Sequence, residues 1–313
     1  MQLRLLGTAA GGGFPQWNCW CGPCRAARDT PERARRRTQS SVAVSADGQH
    51  WFLCNASPDV RDQLASVAAD PHPARRASLI EGIVLTDAEL DHTLGIVLLR
   101  EGRRLRIHCT AAVRHTLERD SAILRVARAF AEVEVTELPL DAPETLTNAD
   151  GSPSGITVEA FLVAGDPPRF ASVDRAGHTV GLFFRGADGS SCAYVPSCAA
   201  LDDRLLGRFA DVGLLLIDGT FWRDDELQQL GFSDRSAREM GHLPIDGDGG
   251  SLGQFHALVN ATTVVYVHIN NTNPILLEDS AERATVLRAG CLIGEDSMHF
   301  SLDGSANGAT RLA

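Results

Sequence analysis

The sequence predicts an α/β fold with mixed β-sheets, and three observations carry that expectation. Short apolar runs rich in Val, Ile, Leu and Phe recur in two series, each run bounded by Gly, Asp, Pro or Asn. Stretches with apolar residues at three- and four-residue spacing lie between them. Strands dominate the opening of each half and helices follow, which departs from the strict alternation of a Rossmann-type sheet.

The first series of strands is expected at Leu3–Leu6, Ser41–Ser45, Trp51–Cys54, Gly82–Leu85 and Leu105–His108. The second is expected at Thr157–Val163, Thr179–Phe184, Cys192–Val195, Leu214–Asp218, Thr263–His268 and Met298–Leu302. Helical spacing runs from Asp59 to Ala69, Ala111 to Arg119, Gly250 to Leu258 and Ala281 to Arg288, with an apolar helix at Ile96 to Leu99. The segment from Leu138 to Gly155, with Pro139, Pro143 and Pro153, reads as a connection between the halves. Gly11-Gly12-Gly13 follows the first strand, but no Gly-Lys-Ser/Thr comes after it and no helix opens directly behind, so a nucleotide loop is not expected.

With 313 residues and 44% hydrophobic content the chain can bury a large core. A formal net charge of -11 argues against nucleic-acid binding, which needs clustered cations to neutralise phosphates. The one basic run, Arg33 to Arg37, reads as a solvated helix face. Met1-Gln2-Leu3-Arg4-Leu5-Leu6 runs straight into a strand pattern without a secretory signal, and no apolar stretch approaches the roughly 20 residues of a membrane span. A reducing cytoplasm is the expected location. There, scattered cysteines such as Cys54, Cys109, Cys192, Cys198 and Cys291 act as small buried apolar residues, while clustered ones bind metal.

Cys19, Cys21 and Cys24 are such a cluster, and Gly22-Pro23 supplies a turn that lets Cys21 and Cys24 converge. The expectation is a zinc knuckle at 18–24 with Trp17 and Trp20 covering it; reduced packing thiols and a redox Cys-x-x-Cys pair are the alternatives. A structural zinc needs a fourth ligand, for which Asn271, His299 and a water are candidates.

After the strand ending Val84-Leu85 comes Thr86-Asp87-Ala88-Glu89-Leu90-Asp91-His92-Thr93-Leu94-Gly95. Helix capping would need one acidic residue there, whereas four potential ligands in six positions form a convergent hard-ligand set at the carboxyl end of a strand.

This run resembles the His-x-His-x-Asp-His motif of the metallo-β-lactamase superfamily, preceded by Leu-Thr and followed by Leu94-Gly95. The Leu5-Leu6-Gly7-Thr8 start, the cysteine knuckle and Val267 to Asn271 are similar to the branch containing phosphodiesterases of phosphonate metabolism. More specifically, Phe14 to Cys19, Asp87 to His92, Ile217 to Trp222, Met240 to Ile245 and His268 to Pro274 together resemble the coenzyme PQQ synthesis protein B family, from Leu5 to about Phe300.

The resemblance implies one metallo-β-lactamase-like domain over 1–313, an αβ/βα four-layer sandwich of two mixed β-sheets flanked by helices. It places Asp87, Glu89 and Gly165 where the two-metal hydrolases keep first-metal histidines, and Ser197 near the bridging aspartate. Asp91, His92 and His268 remain as ligands of a single cation, a set that suits Fe(II) in an oxygenase or Zn²⁺. His242 is an expected acid or base or substrate-orienting group, and Asp87 and Glu89 stand with it as catalytic candidates that, like Asp218, fix the ligand imidazoles or bind a second, weaker cation. His50, His72, His108, His115, His178, His256 and His299 carry no spacing signal, though His178, at a strand start, is placed to approach a substrate.

The function implied is pyrroloquinoline quinone (PQQ) biosynthesis, by Fe(II)- and O₂-dependent hydroxylation of the tyrosine ring in a peptide-derived Glu–Tyr precursor. A carrier of PQQ or its precursor to the periplasm and a zinc-dependent hydrolase are the alternatives. Expected partners are that tyrosine-derived precursor or PQQ and other proteins of the pathway, with no nucleic acid and no membrane; a homodimer is left open.

Overall fold

The inward faces of two sheets carry the centre of the core. The computed structural model describes residues 1–67, 78–305 and 308–312. Its strands are β1 (Gln2–Gly7), β2 (Ser41–Ser45), β3 (Phe52–Cys54), β4 (Gly82–Val84), β5 (Arg104–Cys109), β6 (Glu132–Glu137), β7 (Pro143–Thr147), β8 (Pro153–Leu162), β9 (Val180–Gly186), β10 (Ser191–Val195), β11 (Leu214–Asp218), β12 (Thr263–Val267), β13 (Leu292–Ile293), β14 (His299–Leu302) and β15 (Ala309–Leu312). They form two sheets, ordered β15-β14-β1-β2-β3-β4-β5-β6 and β13-β12-β11-β10-β9-β8-β7. Each is mixed: β1, β2 and β3 pair antiparallel and β3 to β6 parallel, while β7 to β10 pair antiparallel and β10 to β13 parallel.

Side-chain alternation explains the layering. Leu3, Leu5, Val42 and Val44 of one sheet meet Leu182, Tyr194, Leu214 and Leu216 of the other between the sheets. Their neighbours Leu215 and Ile217 point outward and pack with Leu205, Phe209, Phe255 and Val286, the last in the expected helix at Ala281–Arg288. On the far side Ala43, Leu53, Ile83 and Ile107 pack under Val60, Leu64, Ile96 and Val113. Strands covered on both faces read as unbroken apolar runs such as Leu214-Leu215-Leu216-Ile217, as observed for buried parallel strands. Helix, sheet, sheet and helix layers result, the four-layer sandwich that the resemblance implies.

Several local expectations need correction. Residues 138–155 are no plain connection: they hold β7 and the start of β8, an antiparallel pair bulged between Thr145 and Thr147. Pro143 and Pro153 sit at strand starts, where a missing N–H is tolerated. The helix expected from Asp59 is observed at Val60–Ala65, and 68–69 lie outside the described residues, as does His72. The stretch from Gly250 to Leu258 breaks into short turns at Ser251–Gln254 and Leu258–Asn260, and Ala111–His115 continues as a π-helical turn over Thr116–Asp120.

Arg33 to Arg37 is not a helix face. Arg33 pairs with Asp279 and Arg35 with Glu295, while Arg37 is buried and hydrogen-bonds Thr8 and the Gly294 carbonyl. Among the described residues no helix is long and apolar enough to cross a membrane.

Candidate metal centre

The site lies where parallel strands of both sheets end. Asp87 to His92 follow β4, Ser197 follows β10, Asp218 ends β11, and His268 follows β12. His268 adopts φ 54, a left-handed conformation that turns its side chain off the strand path. Such backbone strain persists where surroundings fix it, and here Ile269 N donates to Thr8 O while Ala9 bridges to Ile269.

Asp91, His92 and His268 converge: His268 Nε2 is 3.3 Å and His92 Nε2 3.8 Å from Asp91 Oδ2. Their ligand atoms all lie within 4.8 Å of one another. His92 is 1% exposed, and its Nε2 is buried with no hydrogen-bond partner. A buried polar atom without a partner costs about 1–3 kcal/mol, a penalty that a cation on Nε2 removes. The residues present therefore fit a metal ion.

Each imidazole around this point is held by Nδ1. His92 Nδ1 is 2.8 Å from Asp87, and His242 Nδ1 is 2.8 Å from Asp218 Oδ2. Thr220 Oγ1 donates to Asp218 Oδ1 at 2.6 Å, so its lone pairs accept from His268 Nδ1 at 2.9 Å. Protonated Nδ1 leaves Nε2 with a free lone pair, the tautomer a metal ligand needs; the assignment follows from these hydrogen bonds.

Electrostatics follow from burying so many acids. Burial opposes charging His92, but Asp87 and Asp91 outweigh it and raise its pKa to about 9, so a cation takes Nε2 by displacing a proton. Burial, aided by Asp87 and Asp91, raises Glu89 to about 7. Burial works against the Asp91 carboxylate too, yet His92 and His268 hold its pKa below the usual range.

Asp87 faces His92 and also accepts from Thr86 Oγ1 and the Glu89 amide. Glu89 and His242 line the same cavity of about 510 Å³ as Asp91, His92 and His268. The atoms nearest to where a Cβ would stand at Gly165 are those of Thr179, and the Ser197 hydroxyl reaches the Gly241 carbonyl at 3.4 Å. His178, expected to approach a substrate, is buried with both ring nitrogens unpartnered and does not line the cavity; the next residue, Thr179, does. Sequence reasoning gave no role to Thr220, although it lies within Ile217 to Trp222, and none to Asn270, Arg169 or Arg235, which also line the cavity.

At the cysteine cluster the three Sγ atoms lie within 4.8 Å of one another. Gly22 and Pro23 open a helix, Gly22–Asp29, and it is this helix start that sets Cys24 beside Cys21. Asn271 Nδ2 donates to Cys24 Sγ at 3.3 Å, and the Cys21 thiol reaches the Asn271 carbonyl at 3.4 Å. Hydrogen bonding from Cys21 pushes Cys24 down to about 6, and the same bond pushes Cys21 up. His299 is not available to this cluster, since it packs against Trp51 and Gln2. Trp17 and Trp20 are 83% and 61% exposed and do not cover the sulfurs; Trp20 carries Arg28 over its ring at 4.4 Å.

Comparison with known proteins agrees with this fold. Residues 50–269 match the β-lactamase superfamily domain. Coenzyme PQQ synthesis protein B of Methylococcus capsulatus is 40% identical over 308 residues, covering 96% of this chain and 100% of the relative. That of Pseudomonas putida strain GB-1 is 41% identical over 308 residues, with 96% and 100% covered. The solved structure of Zn²⁺-bound PqqB from Methylobacterium extorquens is 34% identical and superposes with a TM-score of 0.83 over 96% of this chain and all of that one. A diphosphatase of the PhnP family, 18% identical with a TM-score of 0.67 over 97% and 99% of the two chains, shares the fold. By its fold and by identity along nearly its whole length, the chain belongs to the coenzyme PQQ synthesis protein B family within the β-lactamase superfamily.

Proposed function

We propose that this chain acts in coenzyme PQQ synthesis as an Fe(II)- and O₂-dependent hydroxylase of the tyrosine ring in a peptide-derived Glu–Tyr precursor. One observation carries the reading: a carboxylate and two imidazoles, Asp91, His92 and His268, meet on one wall of a cavity large enough for an aromatic substrate. Iron held by such a set supplies activated oxygen at its open positions. The ring gains one oxygen atom of O₂; the other leaves as water, with two electrons and two protons from a reductant of the ascorbate or hydroquinone class.

The chain's own residues bind, orient and move protons. Phe221 and Met240 give the cavity apolar surface for a ring. His242, fixed through Nδ1 by Asp218, keeps Nε2 free to take the phenol proton. Asp87 and Thr220 hold the two ligand imidazoles in register. Asp87 is spent on His92, which leaves the first-metal positions of the hydrolases without a comparable donor set and disfavours a two-metal hydrolase.

The test is to load the apo-protein with Fe(II) without air, add a Glu–Tyr precursor and ascorbate, and admit labelled O₂. The expected result is a product heavier by one labelled oxygen atom. No oxygen uptake, with tight binding of unmodified PQQ, would instead establish a carrier, and zinc-dependent ester or amide cleavage a hydrolase.

A further inference from the structure

The metal cavity is walled by acids: Asp87, Glu89, Asp91 and Asp166 all line it, in a chain of net charge -11. A cation on Asp91, His92 and His268 offsets only part of that charge, so an anionic ligand is favoured there by further local cations. Two do line the same cavity, and they come from separate loops. Arg169 sits in the loop between β8 and β9, and Arg235 in the loop between β11 and β12.

Neither guanidinium makes an ion pair, a hydrogen bond or a ring contact among the described residues. Other arginines near acids are spoken for: Arg104, Arg114, Arg128, Arg204, Arg208 and Arg283 each hold a carboxylate. Arg238, three positions from Arg235, is tied to the carbonyls of Asp248 and Gly249.

We infer that Arg169 and Arg235 form a carboxylate clamp at the cavity mouth, so that the ligand is a phenol bearing carboxylates, its ring toward Asp91, His92 and His268 and its acid groups on the two guanidiniums. A guanidinium offers five N–H donors in a planar fork that matches a carboxylate bidentately, and both forks here are free to do so. The clamp sets specificity and orientation; it touches no reacting atom. That the ring end meets the metal rests on the hydroxylase reading, whereas the clamp itself is read by binding alone.

The experiment uses zinc-loaded protein, which holds the site without oxygen chemistry, and two probes: the dipeptide Glu–Tyr as its free diacid, and Gln–Tyr amide, in which both side-chain and terminal acids are neutral. Calorimetric titration in low salt should show the diacid binding more tightly than the amide. R169Q and R235Q should each weaken the diacid by about tenfold, the range of one charge-assisted hydrogen bond, and leave the amide unchanged. R169K should recover part of the loss, and zinc content and thermal melting should match wild type. Equal affinity of wild type for the two probes, no measurable heat with the diacid, or equal weakening of both probes in the variants would each overturn the clamp. Failure of hydroxylation with intact diacid selectivity would sink the oxygenase reading and spare the clamp.

Discussion

Both carboxylate oxygens of Asp87 lie 2.8 Å from Nδ1 of His92, and both side chains are buried. The contact fixes the ring so that its bare Nε2 faces Asp91. Outer contacts of this kind are typically worth 10–100-fold in metal affinity. Asp87→Ala should therefore lower affinity by about that factor, measured by competition with a chromophoric chelator. An unchanged affinity would mean that Asp87 does not orient His92.

Thr220 serves the other ligand. Its hydroxyl connects Asp218 to His268 Nδ1 and lies 2.9 Å from the His268 carbonyl. Thr220→Val keeps the shape and removes these bonds; Asp218 Oδ1 still accepts from the backbone amide of residue 220, but the buried His268 Nδ1 loses its acceptor at a cost of about 1–3 kcal/mol. Weaker metal binding together with a lowered denaturation midpoint is expected; loss of stability with metal affinity intact would separate Thr220 from the site.

The buried His108 makes the protein sensitive to acid. Burial, with Arg106 adding to it and Glu134 opposing, lowers its pKa from 6.5 to about 4. Its Nε2 has no partner, and its ring meets Phe52 edge-on at 6.5 Å. As pH falls below 6.5 the unfolded chain takes up a proton that the folded chain refuses, so stability drops until the folded pKa near 4 is reached. Denaturant midpoints between these limits should fall more steeply in wild type than in His108→Gln. Parallel curves would contradict the assignment.

Where Cys19, Cys21 and Cys24 form the expected zinc knuckle, Cys21→Ser should release its zinc and lower thermal stability, because a structural zinc contributes folding free energy directly. Asn271→Ala should loosen the same metal, since its amide stands against Cys24 Sγ. Zinc counted by elemental analysis reads both, and full retention in Cys21→Ser would rule out the knuckle.

Much of this was legible in the residues. Ser41–Ser45 and Leu214–Asp218 are strands with the expected bounds, because continuous β-branched and apolar runs between turn residues leave little choice. Asp91 and His92 announce themselves as acids and a histidine crowded behind a strand. β6 (Glu132–Glu137) escaped because it is an edge strand with exposed glutamates, and β7 because Pro143 and the polar residues around it resemble a linker. The role of Thr220 depends on a neighbour 48 positions away in the chain, and no local pattern encodes such a contact, whereas Asn271, expected among the candidates for the cysteine cluster, does meet Cys24, 247 positions away. Arg37 misled for the same reason: a charge run says nothing of the one guanidinium that the fold encloses.

The central claim is that Asp91, His92 and His268 share one cation. Anomalous X-ray scattering from crystals of the metal-loaded protein tests it most directly. The account predicts a peak about 2.0–2.2 Å from Asp91 Oδ2, His92 Nε2 and His268 Nε2. A peak among Asp218, His242 and His268 instead, the other donor group within reach of His268, would contradict it.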